Sequence, residues 1–178
     1  MYYLDEFNCC RLNNRYRSIC MGNYTDIEYE FVERTLALIA QYEKIMYDYP
    51  FVERYNHTLL INCLTGLVVM PKERTISAIP RERLLSQIKK EMGLKQTWIN
   101  PEITTLRDFI INLRHAVAHF SIEVISRTDE FLVDEIVFSN PQRSTGFEIA
   151  RFESGELLPF IRYYGFWLLE KLKARRSR

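Results

Sequence analysis

The stretch from Asn100 to Phe120 constrains this chain more than any other. Asn100 is a helix-capping residue type, Pro101 suits a first turn, and Glu102 favours the positive end of a helix dipole. Ile103, Leu106, Ile110, Leu113, Val117 and Phe120 then follow at spacings of three and four. That near-heptad seam predicts an amphipathic helix opening at Asn100. At about 100° per residue, Asp108, Asn112, His115 and His119 fall on one narrow stripe opposite the seam, with Arg107 and Arg114 on the flank between. The stripe holds no lysine or glutamate, the usual residues of a solvated face, and it takes two of the chain's three histidines. It reads either as a solvated face or as a functional surface.

Around this helix the chain divides into helices, then strands, then a helix. Thr25 or Asp26 caps a first helix to about Tyr47, with Ile27, Phe31, Leu38, Tyr42 and Ile45 on its inward face. Pro50 and Pro71 bracket a second, Phe51 to Met70, apolar on most sides in its later half, where Asn62 reads as a core polar group. Arg81 to Met92 is a short amphipathic helix opened by Pro80 and closed by Gly93. Beyond Phe120 the period changes. Ile122–Ile125 and Phe131–Phe138 read as strands joined through Arg127 to Glu130, and Phe147 to Phe152 as a third after the loop Asn140 to Gly146. Ser154 to Glu156 leads into a final helix with Leu157, Ile161, Tyr164, Leu168 and Leu172 inward.

With 178 residues, 47% of them hydrophobic, the chain can bury one good core, and we expect a single domain over residues 25–178 behind an N-terminal extension, residues 1–24, with little to order it. Lysine and arginine (24) nearly cancel aspartate and glutamate (23), which excludes a generic polyanion binder. Nucleic-acid contact would have to come from a local patch. Lys171, Lys173, Arg175, Arg176 and Arg178 form one such patch, unless they are simply a solvated basic helix end. The longest apolar run, Leu59 to Met70, is too short to span a bilayer, and Met1 to Glu6 has neither a basic start nor an apolar signal core. A cytoplasmic protein with no membrane association is expected. Cys9, Cys10, Cys20 and Cys63 lack paired CxxC spacing, so they indicate neither zinc nor a disulfide framework.

Arginine binds phosphate through two parallel hydrogen bonds, and histidine moves protons near neutral pH. Arg114 with His115 and His119 therefore suffices for metal-free RNA cleavage: the 2′-hydroxyl attacks, a histidine moves the proton, and the arginine holds the phosphate. The Arg-x4-His spacing is weak on its own, because arginine is common enough here for the pair to arise by chance. His115 and His119 at i, i+4, with Asp108 as a third ligand, leave a metal site open as another reading. No serine has nucleophile-elbow glycines around it, and there is no glycine-rich phosphate loop.

Arg114-His115-Ala116-Val117-Ala118-His119 resembles the R-x4–6-H motif of the HEPN superfamily. The preceding Asp108 to Leu113, the following Phe120 and the segment Leu60 to Glu73 are also similar, the last to a branch found among plasmid-borne and defence-associated proteins. The resemblance spans about Asp26 to Lys173. It implies a mainly α fold: a HEPN-like antiparallel helical bundle with a small β insertion between the motif helix and the C-terminal helix. It further implies a metal-independent endoribonuclease that needs no cofactor, of toxin or phage-defence type, active on RNA as a homodimer and paired with a cognate antitoxin in toxin–antitoxin systems. Carried over, Arg114 and His119 are the catalytic pair, and His115, Asn112 and Asp108 support or bind substrate. The alternative is a non-catalytic module of the same fold that binds RNA or a nucleotide, or dimerises. On an ideal helix Arg114 stands about 120° from the His119 stripe. Convergence of the two then calls for the long arginine side chain, a loosened last turn, or a second copy of the chain.

Overall fold

The computed structural model describes residues 24–176 apart from 72, 80, 82–85, 128–131 and 145. The N-terminal extension, save residue 24, lies outside the described residues, as do Pro80 and the turn at residues 128–130. The fold is mainly helical with a small antiparallel sheet. Its elements are α1 (Ile27–Ile45), α2 (Asn56–Val69), α3 (Glu73–Ser77), α4 (Ser86–Glu91), β1 (Trp98–Ile99), α5 (Leu106–Ala118), β2 (Ile122–Ile125), β3 (Glu135–Ser139), β4 (Glu148–Glu153) and α6 (Leu157–Arg176). The sheet order is β1-β4-β3-β2. The insertion after the motif helix is therefore three strands, completed by one that precedes it. No helix among the described residues is long and apolar enough to cross a membrane.

Asp26 caps α1 by accepting from the Tyr29 amide, as expected. Its buried face is Val32, Thr35 and Ile39, however, while Ile27, Leu38 and Ile45 are exposed. Apolar residues flank that stripe on both sides, and packing against α6 and α2 decides between them. The second helix starts later than expected. Phe51–Glu53 forms a separate 3-10 turn, and Phe51 and Tyr55 are exposed, so no burial draws this segment into α2. Asn62 is exposed, not in the core. Lys89 and Lys90 sit in the last turn of α4, which Gly93 closes at φ +78°: its amide donates to Lys90 and the Leu94 amide donates to Lys89. That is a Schellman cap, with glycine at the left-handed position.

Helix α5 opens at Leu106, not Asn100. Thr105, in extended conformation, caps it by accepting from the Asp108 amide. The amide of Asn100 donates to the Ile149 carbonyl and its side chain to that of Glu148, so it ties β1 to β4. Ile103, Leu106, Ile110, Leu113 and Val117 are buried as the seam requires, but Phe120, expected to join them, is 78% exposed. The helix has ended by then.

Strand β2 matches its expected span, whereas β3 begins at Glu135 and residue 131 is outside the described set. Helix α6 buries all five residues expected to face inward. Its Phe160 meets Phe109 of α5 at 5.7 Å and Phe152 of β4 at 5.4 Å, and Phe152 meets Phe138 of β3 at 5.4 Å. This ring cluster fixes the site helix between sheet and α6.

Candidate active site

Four residues of the α5 stripe were expected to point away from the core together. The structure separates them by burial. Asp108 is half-buried, Asn112 is buried at 4% exposure, and His115 and His119 are exposed. The loop between β3 and β4 covers Asn112. Asn112 Nδ2 donates to the Asp108 carbonyl at 2.8 Å and to Asp108 Oδ1 at 2.9 Å, while its Oδ1 accepts from buried Asn140 Nδ2 at 3.0 Å. Asn140 Oδ1 in turn accepts from the Gln142 amide at 3.2 Å. Gln142 Nε2 meets His119 Nε2 at 2.7 Å. With the amide nitrogen donating, His119 accepts at Nε2 and a neutral ring carries its proton on Nδ1. Asp108, Asn112, Asn140, Gln142 and His119 thus form one hydrogen-bonded line from the start of α5 to its end.

Asn140 and Gln142 carry no motif. The only signal in sequence was an amide-rich loop whose place in space depends on the β3–β4 pairing. Arg143 was likewise missed: it stacks over Phe147 at 4.4 Å and lies 3.7 Å from Asp108 and 3.6 Å from Glu102. These contacts set a cation beside the polar line.

Arg114 has other neighbours. It is half-buried, and its charge reaches Tyr164 on α6. Burial drives the Tyr164 hydroxyl well above the usual tyrosine range, and Arg114 opposes that shift. Arg107, on the same flank, donates to the Ser77 carbonyl at 2.8 Å and secures α3. His119 is held by the β3–β4 loop, while the Arg114 charge lies near enough to α6 to act on Tyr164. The basic residues of α6 are also engaged: Arg175 donates to Thr75 at 2.7 Å, Arg176 pairs with Asp26 at 2.8 Å, and Lys171 lies over Trp167. Among the described residues, no group of three or more His, Cys, Asp or Glu side chains is arranged to hold a metal ion.

Helix α5 stops in a defined way. The His119 amide donates to His115, Phe120 to Val117, and Ser121 to Ala116. This is a second Schellman cap, with Phe120 at φ +51° in the left-handed position. The cap keeps the helical bond from the His119 amide to His115 and leaves His119 as the C-cap residue at φ −99°, ψ 5°.

Sequence comparison decides the family. The family model for HEPN pEK499 p136 matches residues 21–175. The chain belongs to this HEPN family. The match takes in every element from α1 to all but the end of α6, so the α5 motif and the β3–β4 loop lie within one HEPN domain. No curated protein and no solved structure matches the chain.

Proposed function

We propose that this HEPN protein is a metal-independent endoribonuclease, active as a cytoplasmic homodimer on RNA. The observation that carries the reading is His119: an exposed imidazole at the end of the motif helix, held through Gln142 by a buried amide line, five residues from Arg114 in a HEPN domain. His119 takes the proton of a 2′-hydroxyl at Nε2, where the substrate hydroxyl displaces the Gln142 donor, as the O2′–P bond forms, and the P–O5′ bond breaks. A protonated histidine returns a proton to the leaving 5′-oxygen, leaving a 2′,3′-cyclic phosphate. Arg114 neutralises the charge gathering on the phosphoryl oxygens. The angle of about 120° between Arg114 and the His119 stripe on an ideal helix favours a composite site, with the arginine of one copy beside the histidine of the other. His115, on the exposed side of α5, contacts substrate, while Asp108 and Asn112 position His119 through the amide line. A role as toxin or phage-defence effector, with or without a cognate antitoxin, rests on the resemblance of the Leu60 to Glu73 segment to that branch.

The second reading is a non-catalytic HEPN module that binds RNA or a nucleotide, or dimerises. Gln142 occupies His119 Nε2, the nitrogen a general base would use, and this favours it. One experiment separates the two. Purified protein is incubated with structured and unstructured RNA, with and without EDTA, beside Arg114→Ala and His119→Ala. Cleavage that survives EDTA, leaves cyclic phosphate ends and is abolished by both substitutions supports the nuclease. Binding without cleavage supports the module, and cleavage lost on chelation refutes both.

A further inference from the structure

The chain builds the same helix ending twice and fills its left-handed position differently. At the end of α4 the residue is Gly93, φ +78°. At the end of α5 it is Phe120, φ +51°. Glycine adopts this conformation without strain, and a residue with a Cβ does not. Phe120 gains no burial in exchange: at 78% exposed it is the most exposed large apolar side chain among the described residues. It therefore carries a local conformational cost and an exposed ring at once. Strain retained without a packing gain points to function.

The surroundings indicate which function. Phe120 directly follows His119 in the chain and borders an open groove of about 280 Å³ formed with Ser121, Ile122, Glu123, Ser139, Pro141 and Gly146, whose one charge, the exposed Glu123 carboxylate, suits an uncharged base and not a phosphate. The left-handed turn throws the ring outward beside that groove, where β2 departs. An exposed aromatic face next to a groove of this size takes a flat, unpaired base, because every nucleobase offers a π-face for stacking. Bases inside an RNA duplex have both faces occupied, so only unpaired nucleotides fit.

We infer that Phe120 is a stacking platform for the unpaired base beside the scissile phosphate, which makes single-stranded RNA the substrate class of this site. The inference rests on the ribonuclease reading above. Phe120 touches the base and not the reacting atoms, so it positions substrate.

The test measures binding of a non-cleavable 2′-O-methyl oligonucleotide by fluorescence anisotropy, for the wild type and for Phe120→Gly, Phe120→Leu and Phe120→Tyr. A second oligonucleotide carries an abasic nucleotide at each position in turn. Cleavage of the matching RNA, the unfolding temperature and the oligomeric state are followed for each variant. The expected result is a loss of affinity of about tenfold or more for the glycine and leucine variants, with tyrosine close to wild type. One abasic position should weaken the wild type and leave Phe120→Leu unaffected. Phe120→Gly should unfold at no lower temperature than the wild type, because it relieves the left-handed strain. Equal affinity of Phe120→Leu and an active wild type overturns the platform and leaves the nuclease standing. A shift from dimer to monomer in step with the affinity loss overturns it too, and assigns Phe120 to contact between copies. A wild type that neither binds nor cleaves RNA overturns both readings.

Discussion

Replacing Asn112 with alanine tests whether the amide line holds the site together. Its side chain makes three hydrogen bonds, and they do not count equally. The Asp108 carbonyl already accepts the helical amide of Asn112, so it stays satisfied without the side chain. Asp108 Oδ1 is half-exposed, and water can replace its donor. Asn140 Nδ2 is different: it donates to Asn112 Oδ1 at 3.0 Å between two buried residues, 4% and 6% exposed. Removing Asn112 forfeits that bond, worth about 1 kcal/mol net, and strands a buried donor at about 1–3 kcal/mol more. The expected loss is about 2–4 kcal/mol of unfolding free energy, readable by urea denaturation. Asn112→Ala, Asn140→Ala and the double variant form a cycle. Because the double variant strands neither donor nor acceptor and loses the shared bond only once, it should be less destabilised than the sum of the singles by about 3 kcal/mol or more. Additivity within about 0.5 kcal/mol would refute the line as a coupled unit.

Three further outcomes are expected. Glu156 accepts from the amides of Lys95, Gln96 and Thr97 and from the Thr97 hydroxyl, at 2.7–3.2 Å. Burial alone would raise its pKa, but these donors together hold it below the usual glutamate range. The ion's contribution is thus complete above the unfolded-state pKa and is lost as pH falls through the lower folded value. Glu156→Gln should cost about 1–2 kcal/mol at neutral pH, converging with wild type in acid denaturation; a constant gap at all pH values would contradict this. Gly93→Ala should cost about 2–4 kcal/mol, since its Cβ would lie 2.4 Å from Pro159 Cβ in a left-handed turn. Gly146→Ala, also left-handed but with open space around it, should lose only about 1 kcal/mol; thermal melts showing equal losses would refute the steric account. Burial pushes the Cys63 thiol up to about 11. Site-resolved alkylation at pH 8 should therefore label Cys63 far more slowly in native protein than in urea, and equal rates would sink this prediction.

The parts of the fold legible in sequence were those in which local pattern and burial agree. Helix α6 buries Leu157, Ile161, Tyr164, Leu168 and Leu172 at the three- and four-residue spacings legible in sequence, although Phe166 on it is exposed. Helix α1 has apolar residues on both flanks of its buried stripe, so periodicity could not choose between them. The start of α5 offered two sound caps, Asn100 and Thr105, and only the β1–β4 pairing, some fifty residues away in the chain, assigns the first to the sheet. At the site, the stripe of Asp108, Asn112, His115 and His119 was visible on a helical wheel. Its burial was not, because the β3–β4 loop that brings Asn140 and Gln142 arrives more than twenty residues later. Phe120 looked like one more seam residue, but the helix ends two positions before it.

The Phe109–Phe160 contact also bears on the order in which the protein is made. The site helix leaves the ribosome after α2, against which it packs most, but well ahead of α6, which supplies Phe160 to Phe109. At a synthesis rate of about 5–20 residues per second, Phe109 waits for seconds without Phe160. The β3–β4 loop and its grip on His119 form in the same interval, on a sheet whose Phe152 also needs Phe160. A nascent chain interrupted before α6 would thus carry the motif and its loop without Phe160, the ring that joins the site helix to the sheet.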